Sequence, residues 1–64
     1  MPIRIDRKKL KTQMITQDMS VGELAKSAKI SVSTLSNIRS GKSCTLKIAE
    51  AIAKTLNTSV ERLS

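Results

Sequence analysis

An all-α fold of five short helices is predicted from two features of the sequence. Apolar residues recur at spacings of three and four along the chain, which is the spacing of one face of a helix. Each such stretch follows a Ser, Thr or Asp residue of the kind that caps a helix N-terminus. The 64 residues contain no Phe, Tyr or Trp, so the core has to be aliphatic. A chain of this length permits one domain, residues 1–64.

The first helix is predicted to begin after the N-cap Asp6 and to run to about Gln17. Its inner face is predicted to contain Leu10 and Met14, extended by Ile3 or Ile15. Before this helix, residues 1–5 alternate apolar and basic side chains. We expect this segment to form either a short strand or an ordered arm.

The second helix is predicted from an S-x-x-E capping box formed by Ser20 and Glu23. Its apolar stripe consists of Val21, Leu24, Ala25 and Ala28. Lys29 and Ile30 are then expected to form a tight turn. In this turn Ile30 would fill the space between the second and third helices.

The third helix is predicted to begin after the N-cap Ser31 and to end near residues 39–40, where Gly41 supplies a left-handed residue. Its apolar residues are Val32, Leu35 and Ile38, and the last two are assigned to the core. Between them stand Ser33, Thr34, Ser36 and Asn37. A helix that turns short hydrogen-bonding side chains outward, in a basic chain, suits nucleic acid better than a core.

The fourth helix is predicted to follow a polar link, residues 42–44, and to begin at Ser43 or Thr45. Its apolar stripe, the strongest in the chain, consists of Leu46, Ala49, Ile52, Ala53 and Leu56. Asn57 is expected to end this helix in a left-handed conformation, and Ser59 to cap a fifth helix. The apolar residues of the fifth helix are Val60 and Leu63.

The charge of the chain points to an anionic partner. Twelve Lys and Arg residues against five Asp and Glu residues give a formal net charge of +7 at pH 7. Such a charge attracts polyanions, but it does not by itself distinguish nucleic acid from an anionic membrane or an acidic protein. No apolar run is long enough to span a bilayer, and no signal peptide is recognisable. We therefore expect a cytoplasmic, nucleoid-associated protein without a membrane partner.

Several kinds of chemistry are not expected from the composition. One cysteine excludes an internal disulfide, and without histidine a zinc site is not expected. No nucleophile–base pair is recognisable, so catalysis is not predicted, and neither a cofactor nor a small-molecule ligand is expected. Cys44 is interpreted as a small, partly buried residue. The alternative is a reactive thiol whose pKa is lowered by the start of the fourth helix.

A longer pattern joins the second and third helices. It has the order L-A-x-x-A-x-(I/V)-S-x-x-T-(L/I)-S-x-(I/L)-x-x-G-K and is formed by Leu24, Ala25, Ala28, Ile30, Ser31, Thr34, Leu35, Ser36, Ile38, Gly41 and Lys42. Over residues 10–63 the chain resembles the Cro/repressor-type (XRE) helix-turn-helix family of phage and bacterial regulators. The resemblance implies a compact five-helix, lambda-repressor-like DNA-binding domain with its helix-turn-helix at about residues 20–42. It also implies a double-stranded DNA operator bound by a homodimer.

By this resemblance, residues 31–39 form a recognition helix in the major groove. The expected base contacts are Val32, Ser33, Ser36 and Asn37. Asn37 can pair bidentately with adenine, the serines can contact any base edge, and Val32 can contact a thymine methyl group or pack partly into the core. The expected phosphate contacts are Ser20, Val21, Ser31, Thr34, Arg39, Ser40, Lys42, Ser43 and Thr45. An N-terminal arm with Arg4, Arg7 and Lys8 is a further possible DNA contact.

Two positions depart from the family pattern. Many relatives pair an Arg of the first helix with a Glu near the end of the recognition helix, whereas the corresponding residues here are Met14 and Arg39. Met14 is therefore expected to pack apolarly and Arg39 to remain available for a phosphate or another acid. The Gln that commonly opens the second helix is Val21 in this chain, which removes a side-chain contact.

The leading hypothesis is a sequence-specific transcriptional regulator, a Cro-like repressor of a phage or mobile element. The alternative is a small antitoxin or anti-repressor that acts through a protein partner. A basic peptide that lies on membranes is disfavoured by the absence of Trp and Phe and by the many helix caps. Dimerisation is expected because operators carry two half-sites, with the last helix or the Ile3 and Ile5 segment as its surface.

Overall fold

The computed structural model describes residues 2–64, in which five helices are joined by short turns and accompanied by one pair of short strands. The helices are α1 (Arg7–Thr16), α2 (Val21–Ala28), α3 (Val32–Arg39), α4 (Leu46–Thr55) and α5 (Val60–Leu63). The strands are β1 (Pro2–Ile3) and β2 (Cys44–Thr45). The predicted fold of five helices is confirmed, and the short strand pair is an addition to the all-α fold that the sequence predicted. Of the predicted N-terminal segment, Met1 lies outside the described residues.

Each helix begins at a side chain that accepts a hydrogen bond from the first helical turn. The N-caps are Asp6, Ser20, Ser31, Thr45 and Ser59. At α2 the predicted capping box is complete, because Ser20 Oγ accepts the Glu23 N–H at 3.2 Å and Glu23 Oε1 accepts the Ser20 N–H at 3.1 Å. Amides at helix starts lack partners within the helix, so residues that supply such partners locate these starts in the sequence.

Helices α1 to α4 end in the same way, with a residue of positive φ. These residues are Asp18 (φ 53°), Lys29 (60°), Gly41 (105°) and Asn57 (56°). In each case the next residue donates its N–H to the carbonyl oxygen five residues earlier, at 2.9–3.1 Å. This arrangement is the Schellman motif, which satisfies the last carbonyl groups of a helix. Gly41 and Asn57 are confirmed in this role. Asp18 and Lys29 were not expected in it, and the Lys29 side chain disfavours positive φ.

The stretch before α4 departs from the prediction of a polar link. Cys44 and Thr45 form β2, which pairs antiparallel with β1 so that Ile3 lies opposite Cys44 and Pro2 lies opposite Thr45. Cys44 is buried, with 9% of its surface exposed. Strands of two residues are too short to show an alternating pattern, so the sequence could not indicate that residue 44 belongs to a strand.

The segment before α1 is fixed to the rest of the chain. β1 pairs with β2, and Ile5 is buried in the core. The Asp6 N–H donates to the Leu63 carbonyl oxygen at 2.6 Å, which joins the start of α1 to α5. Of the two predicted alternatives for this segment, the short strand is therefore the one observed.

The core is aliphatic, as predicted, and no polar or charged residue within residues 2–64 is buried as a whole. α2 packs against α3 and α4, while α1 contacts α3 and α5. The largest fully buried side chains are Leu10, Leu24, Leu35, Ile38, Ile52, Leu56 and Leu63. These residues come from all five helices or their ends, so the helices share one core.

Two side chains predicted for the core are exposed. Leu46 is the first residue of α4 and is 48% exposed, because the buried stripe of this helix begins one turn later, at Ala49. Ile15 is 69% exposed, since it stands about 100° around α1 from the buried Met14. The alternative to Ile15, Ile3, is half-buried and packs against the core.

Candidate nucleic-acid interface

The turn between α2 and α3 is held by its backbone and by one apolar side chain. Lys29 adopts the left-handed conformation, and the Ile30 N–H donates to the Ala25 carbonyl oxygen at 2.9 Å. The Ile30 side chain is half-buried against the core, as predicted. On α3 itself, Leu35 and Ile38 are 0% and 2% exposed. Packing on both sides of the turn therefore fixes α3 relative to α2.

The outward side of α3 carries the four predicted base-contact residues. Val32, Ser33, Ser36 and Asn37 are all exposed. At about 100° per residue, these positions span roughly 140° of the helix surface and avoid the buried side. Val32 is 52% exposed and lies outside the core cluster, so it belongs to this outward side. The four side chains form a continuous surface that a partner could contact.

The hydroxyl groups among the predicted phosphate contacts differ in whether their protons are already used. Ser31 Oγ accepts the Thr34 N–H at 3.0 Å and donates to Thr34 Oγ1 at 2.8 Å. Ser40 Oγ donates to the Asn37 carbonyl oxygen at 2.7 Å. Phosphate oxygens accept hydrogen bonds, so a phosphate needs a hydroxyl proton. Ser31 and Ser40 would have to break an internal bond to provide one, whereas Thr34 accepts in its bond and keeps its own proton.

Ser20 and Val21 stand at the start of α2, where backbone amides and the helix dipole favour an anion. The Glu23 carboxylate is also there, bound to Ser20. The pKa of Glu23 is lowered mainly by its hydrogen bond with the Ser20 N–H and to a smaller extent by the one with the Ser20 hydroxyl. The carboxylate is therefore ionised at neutral pH. A phosphate near Ser20 would meet both the positive helix end and this negative charge.

The remaining predicted phosphate contacts lie where α3 ends and α4 begins. Arg39 is the last residue of α3, and Lys42 and Ser43 follow in the link; all three are exposed. Thr45 is exposed too, and its Oγ1 accepts the Ile48 N–H at 3.3 Å as the cap of α4. Two cationic side chains and the positive end of α4 are therefore presented beside the outward side of α3.

The two residues that replace the family's Arg–Glu pair lie near each other. Met14 is 7% exposed and belongs to the core, which confirms its predicted apolar packing. Arg39 is exposed. Both line a surface cleft of about 460 Å³ between α1, the start of α2 and the end of α3. The cleft is lined by apolar side chains such as Met14 and by charged ones, since Asp18 and Glu23 line it together with Arg39.

Cys44 lies in β2 and faces the interior, so it is not at an open helix start. Burial raises the pKa of its thiol, and the alternative of a reactive thiol with a lowered pKa is wrong. Within residues 2–64, no group of three or more His, Cys, Asp and Glu residues is placed to hold a metal ion. In the same residues no helix combines the length and the apolar character that crossing a bilayer requires.

Comparison with known proteins gives one match. A protein-family model described as helix-turn-helix matches residues 4–63, nearly the whole chain. No curated protein and no solved structure matches the sequence. The matched residues include all five helices, the turn at Lys29 and the outward side of α3.

Proposed function

The chain belongs to the XRE-type helix-turn-helix family of DNA-binding transcription regulators, and we propose that it acts as a Cro-like repressor of a phage or mobile element. The observation that carries this proposal is the division of α3 into two sides. Leu35 and Ile38 anchor one side in the core, while the other side presents hydrogen-bonding groups. Such a helix can enter the major groove while its support stays folded.

In this proposal few side chains of α3 distinguish strongly between one base and another. Asn37 would accept from and donate to one adenine, and Ser33 and Ser36 would contact base edges with little preference. Val32 would pack against a thymine methyl group. Because serine hydroxyls tolerate several bases, part of the specificity would come from the shape and deformability of the operator.

Affinity would come mainly from the phosphate backbone. Lys42 and Ser43 would hold one strand beside α3, with Thr45 at the start of α4 and Thr34 through its unused hydroxyl proton. Arg39 would contact a phosphate from the end of α3. Ser31 and Ser40 would act through the backbone conformation they fix, since their protons are bound within the protein. Ser20 and Val21 would approach a phosphate from the start of α2.

We further propose that two copies bind one operator. Helix-turn-helix dimers place their recognition helices in two half-sites one helical turn apart, so a pseudo-palindromic operator is expected. Two of the expected interface residues, Leu63 and Ile5, are buried in the core of their own chain and cannot form that interface. The half-buried Ile3 and Val60 and the exposed Leu46 remain as apolar surface for it.

Selection from a pool of random duplexes, followed by footprinting of the enriched sequence across a salt series, tests the proposal. The expected result is a two-fold symmetric site bound at least about 10³-fold more tightly than random duplex. Uniform binding that varies only with salt would contradict sequence-specific regulation. DNA binding that requires a stoichiometric protein partner would instead favour the alternative, an antitoxin or anti-repressor.

A further inference from the structure

A second concentration of positive charge lies on α1 and extends to the end of α3. Arg7, Lys8 and Lys11 line one concave surface of about 330 Å³ together with Arg39, the last residue of α3. We call these four residues the α1 basic patch. All four are exposed, and no acidic residue lines the surface with them. The patch therefore presents four like charges, of which Lys11 and Arg39 also line the neighbouring cleft that holds two carboxylates.

The acidic residue nearest to the patch in sequence is occupied. The Asp6 carboxylate accepts the backbone N–H groups of Lys8 and Lys9, at 2.8 Å and 3.1 Å, as the cap of α1. The negative charge of Asp6 therefore lies at the start of α1, where these two amides bind it. Like charges gathered on one surface repel one another, so the arrangement gains from an external anion.

The spacing of the patch suits an extended polyanion better than a single small anion. Arg7 and Lys11 are one helical turn apart, about 6 Å along α1. Phosphates follow each other along a DNA strand at about 3.4 Å of helix rise. The separation of about 6 Å between these residues covers roughly two such steps, so they can reach different phosphates of one strand, and Arg39 adds a cation from another helix.

Arg39 connects the patch to the proposed recognition helix. α1 contacts α3, and Arg39 ends α3 while lining the patch. A helix in the major groove lies between two sugar-phosphate strands. The proposed phosphate contacts Lys42, Ser43 and Thr45 all come from the one segment that follows α3. The N-terminal segment cannot supply further anchors as a mobile arm, because β1 and Ile5 hold it against the core.

We propose that the α1 basic patch binds a second stretch of DNA backbone, separate from the one held by Lys42, Ser43 and Thr45. The proposal rests on the DNA-binding function proposed above. It adds Lys11 and the helical side chains of Arg7 and Lys8 to the interface, and it makes the first helix a DNA-contacting element as well as a packing element.

The test compares two double variants with the same net charge. Lys8→Gln with Lys11→Gln removes two patch charges, and Lys26→Gln with Lys54→Gln removes two charges from exposed positions on α2 and α4. Gln and Lys have similar helix propensity, so both variants should fold. The control variant should lose a little stability, because Lys26 and Lys54 are cations in the last turns of their helices. The measurement is the slope of log K against log salt concentration for binding to a mixed-sequence duplex.

The expected result is a slope smaller by about 1.8 for the patch variant, since each lost phosphate contact removes about 0.9. The control variant should keep the slope of the unchanged protein. Equal slopes for the two variants, with the unchanged protein still binding DNA, would overturn the patch proposal alone. Failure of the unchanged protein to bind any duplex would overturn the proposed function and the patch together.

Hydroxyl-radical footprinting of the selected operator gives an independent readout. The patch variant should lose protection of the backbone sugars that flank the site while keeping it in the centre. A footprint identical to that of the control variant would also overturn the proposal.

Discussion

Asn37 combines a fixed backbone with an open side chain. Its carbonyl oxygen accepts the Ser40 hydroxyl at 2.7 Å and the Ser40 and Lys42 N–H groups at 3.1 Å, while its side chain is exposed. These bonds form the closure of α3 at Gly41. A base-reading amide that stands on a fixed backbone loses less freedom on binding, so Asn37 is suited to discriminate one base.

We therefore expect Asn37→Ala to weaken binding to the selected operator by about 1–3 kcal/mol, the value of one bidentate base contact. Binding to a mixed-sequence duplex should be unchanged, because no phosphate contact is removed. Competition binding with the two duplexes measures both effects on the same samples. An equal loss on both duplexes would show that Asn37 acts through the fold or through the backbone of the DNA.

Thr58 shows the opposite situation, a polar group without a partner. Its hydroxyl oxygen is buried and makes no hydrogen bond within the described residues. An unsatisfied buried hydroxyl costs about 1–3 kcal/mol, so Thr58→Val, which keeps the shape, should stabilise the protein by about 1 kcal/mol. Thermal unfolding should then shift upward by roughly 4–8 °C.

Thr55→Val is the matched control for this change. The Thr55 hydroxyl donates to the Ala51 carbonyl oxygen at 2.8 Å and is half-buried. Replacing it removes a satisfied hydrogen bond, so no gain in stability is expected. Equal gains for the two variants would mean that valine stabilises this end of α4 for a reason other than the unpaired hydroxyl.

At the scale of elements, the five helices are defined more by their ends than by their interiors. Helices of eight to ten residues, such as α2 and α1, are too short to be stable alone. Their N-caps and Schellman endings satisfy the terminal amide and carbonyl groups, and their buried faces hold them together. The turn at Lys29 is the weakest of these endings, because lysine is poorly suited to positive φ.

We expect Lys29→Gly to raise the free energy of unfolding by about 0.8 kcal/mol, the difference between the midpoints of two opposing effects. Relief of about 1–2 kcal/mol of left-handed strain is partly offset by about 0.4–1 kcal/mol from the greater freedom of glycine in the unfolded chain. Ser27→Gly, two residues earlier and inside α2, should instead cost about 0.5 kcal/mol. Chemical denaturation of both variants measures the difference, and a Lys29→Gly variant no more stable than the original chain would contradict the argument.

At the scale of the whole molecule, the sequence predicted what depends on local chemistry. Helix starts such as Ser20 and Ser31 were predicted because a cap needs a particular side chain, and buried residues such as Leu24 because helical spacing marks one face. The pairing of β1 with β2 was not predictable, since it joins residues 2–3 to residues 44–45 by backbone bonds alone. The α1 basic patch was missed for a similar reason, because Arg39 reaches it only through the packing of α3 on α1.

The connections around Cys44 make its burial a property of the whole fold. Cys44 belongs to the core cluster, and its strand pairs with β1, which continues into the buried Ile5 and then into Asp6, bonded to Leu63 of α5. Opening at Cys44 should therefore accompany global unfolding. Since burial also raises the pKa of the thiol, the native protein presents little thiolate to an alkylating reagent.

Ile38→Val tests this coupling, because Ile38 lies in α3 and its truncation typically costs about 0.5–1.5 kcal/mol. If Cys44 reacts only through global unfolding, its alkylation by iodoacetamide should become about two to ten times faster, in proportion to the measured loss of stability. In denaturant the variant and the original chain should react at the same rate, which controls for intrinsic reactivity. An unchanged native rate in Ile38→Val would mean that β1 opens locally, and the N-terminal strand would then be an independently mobile element beside the DNA-binding helices.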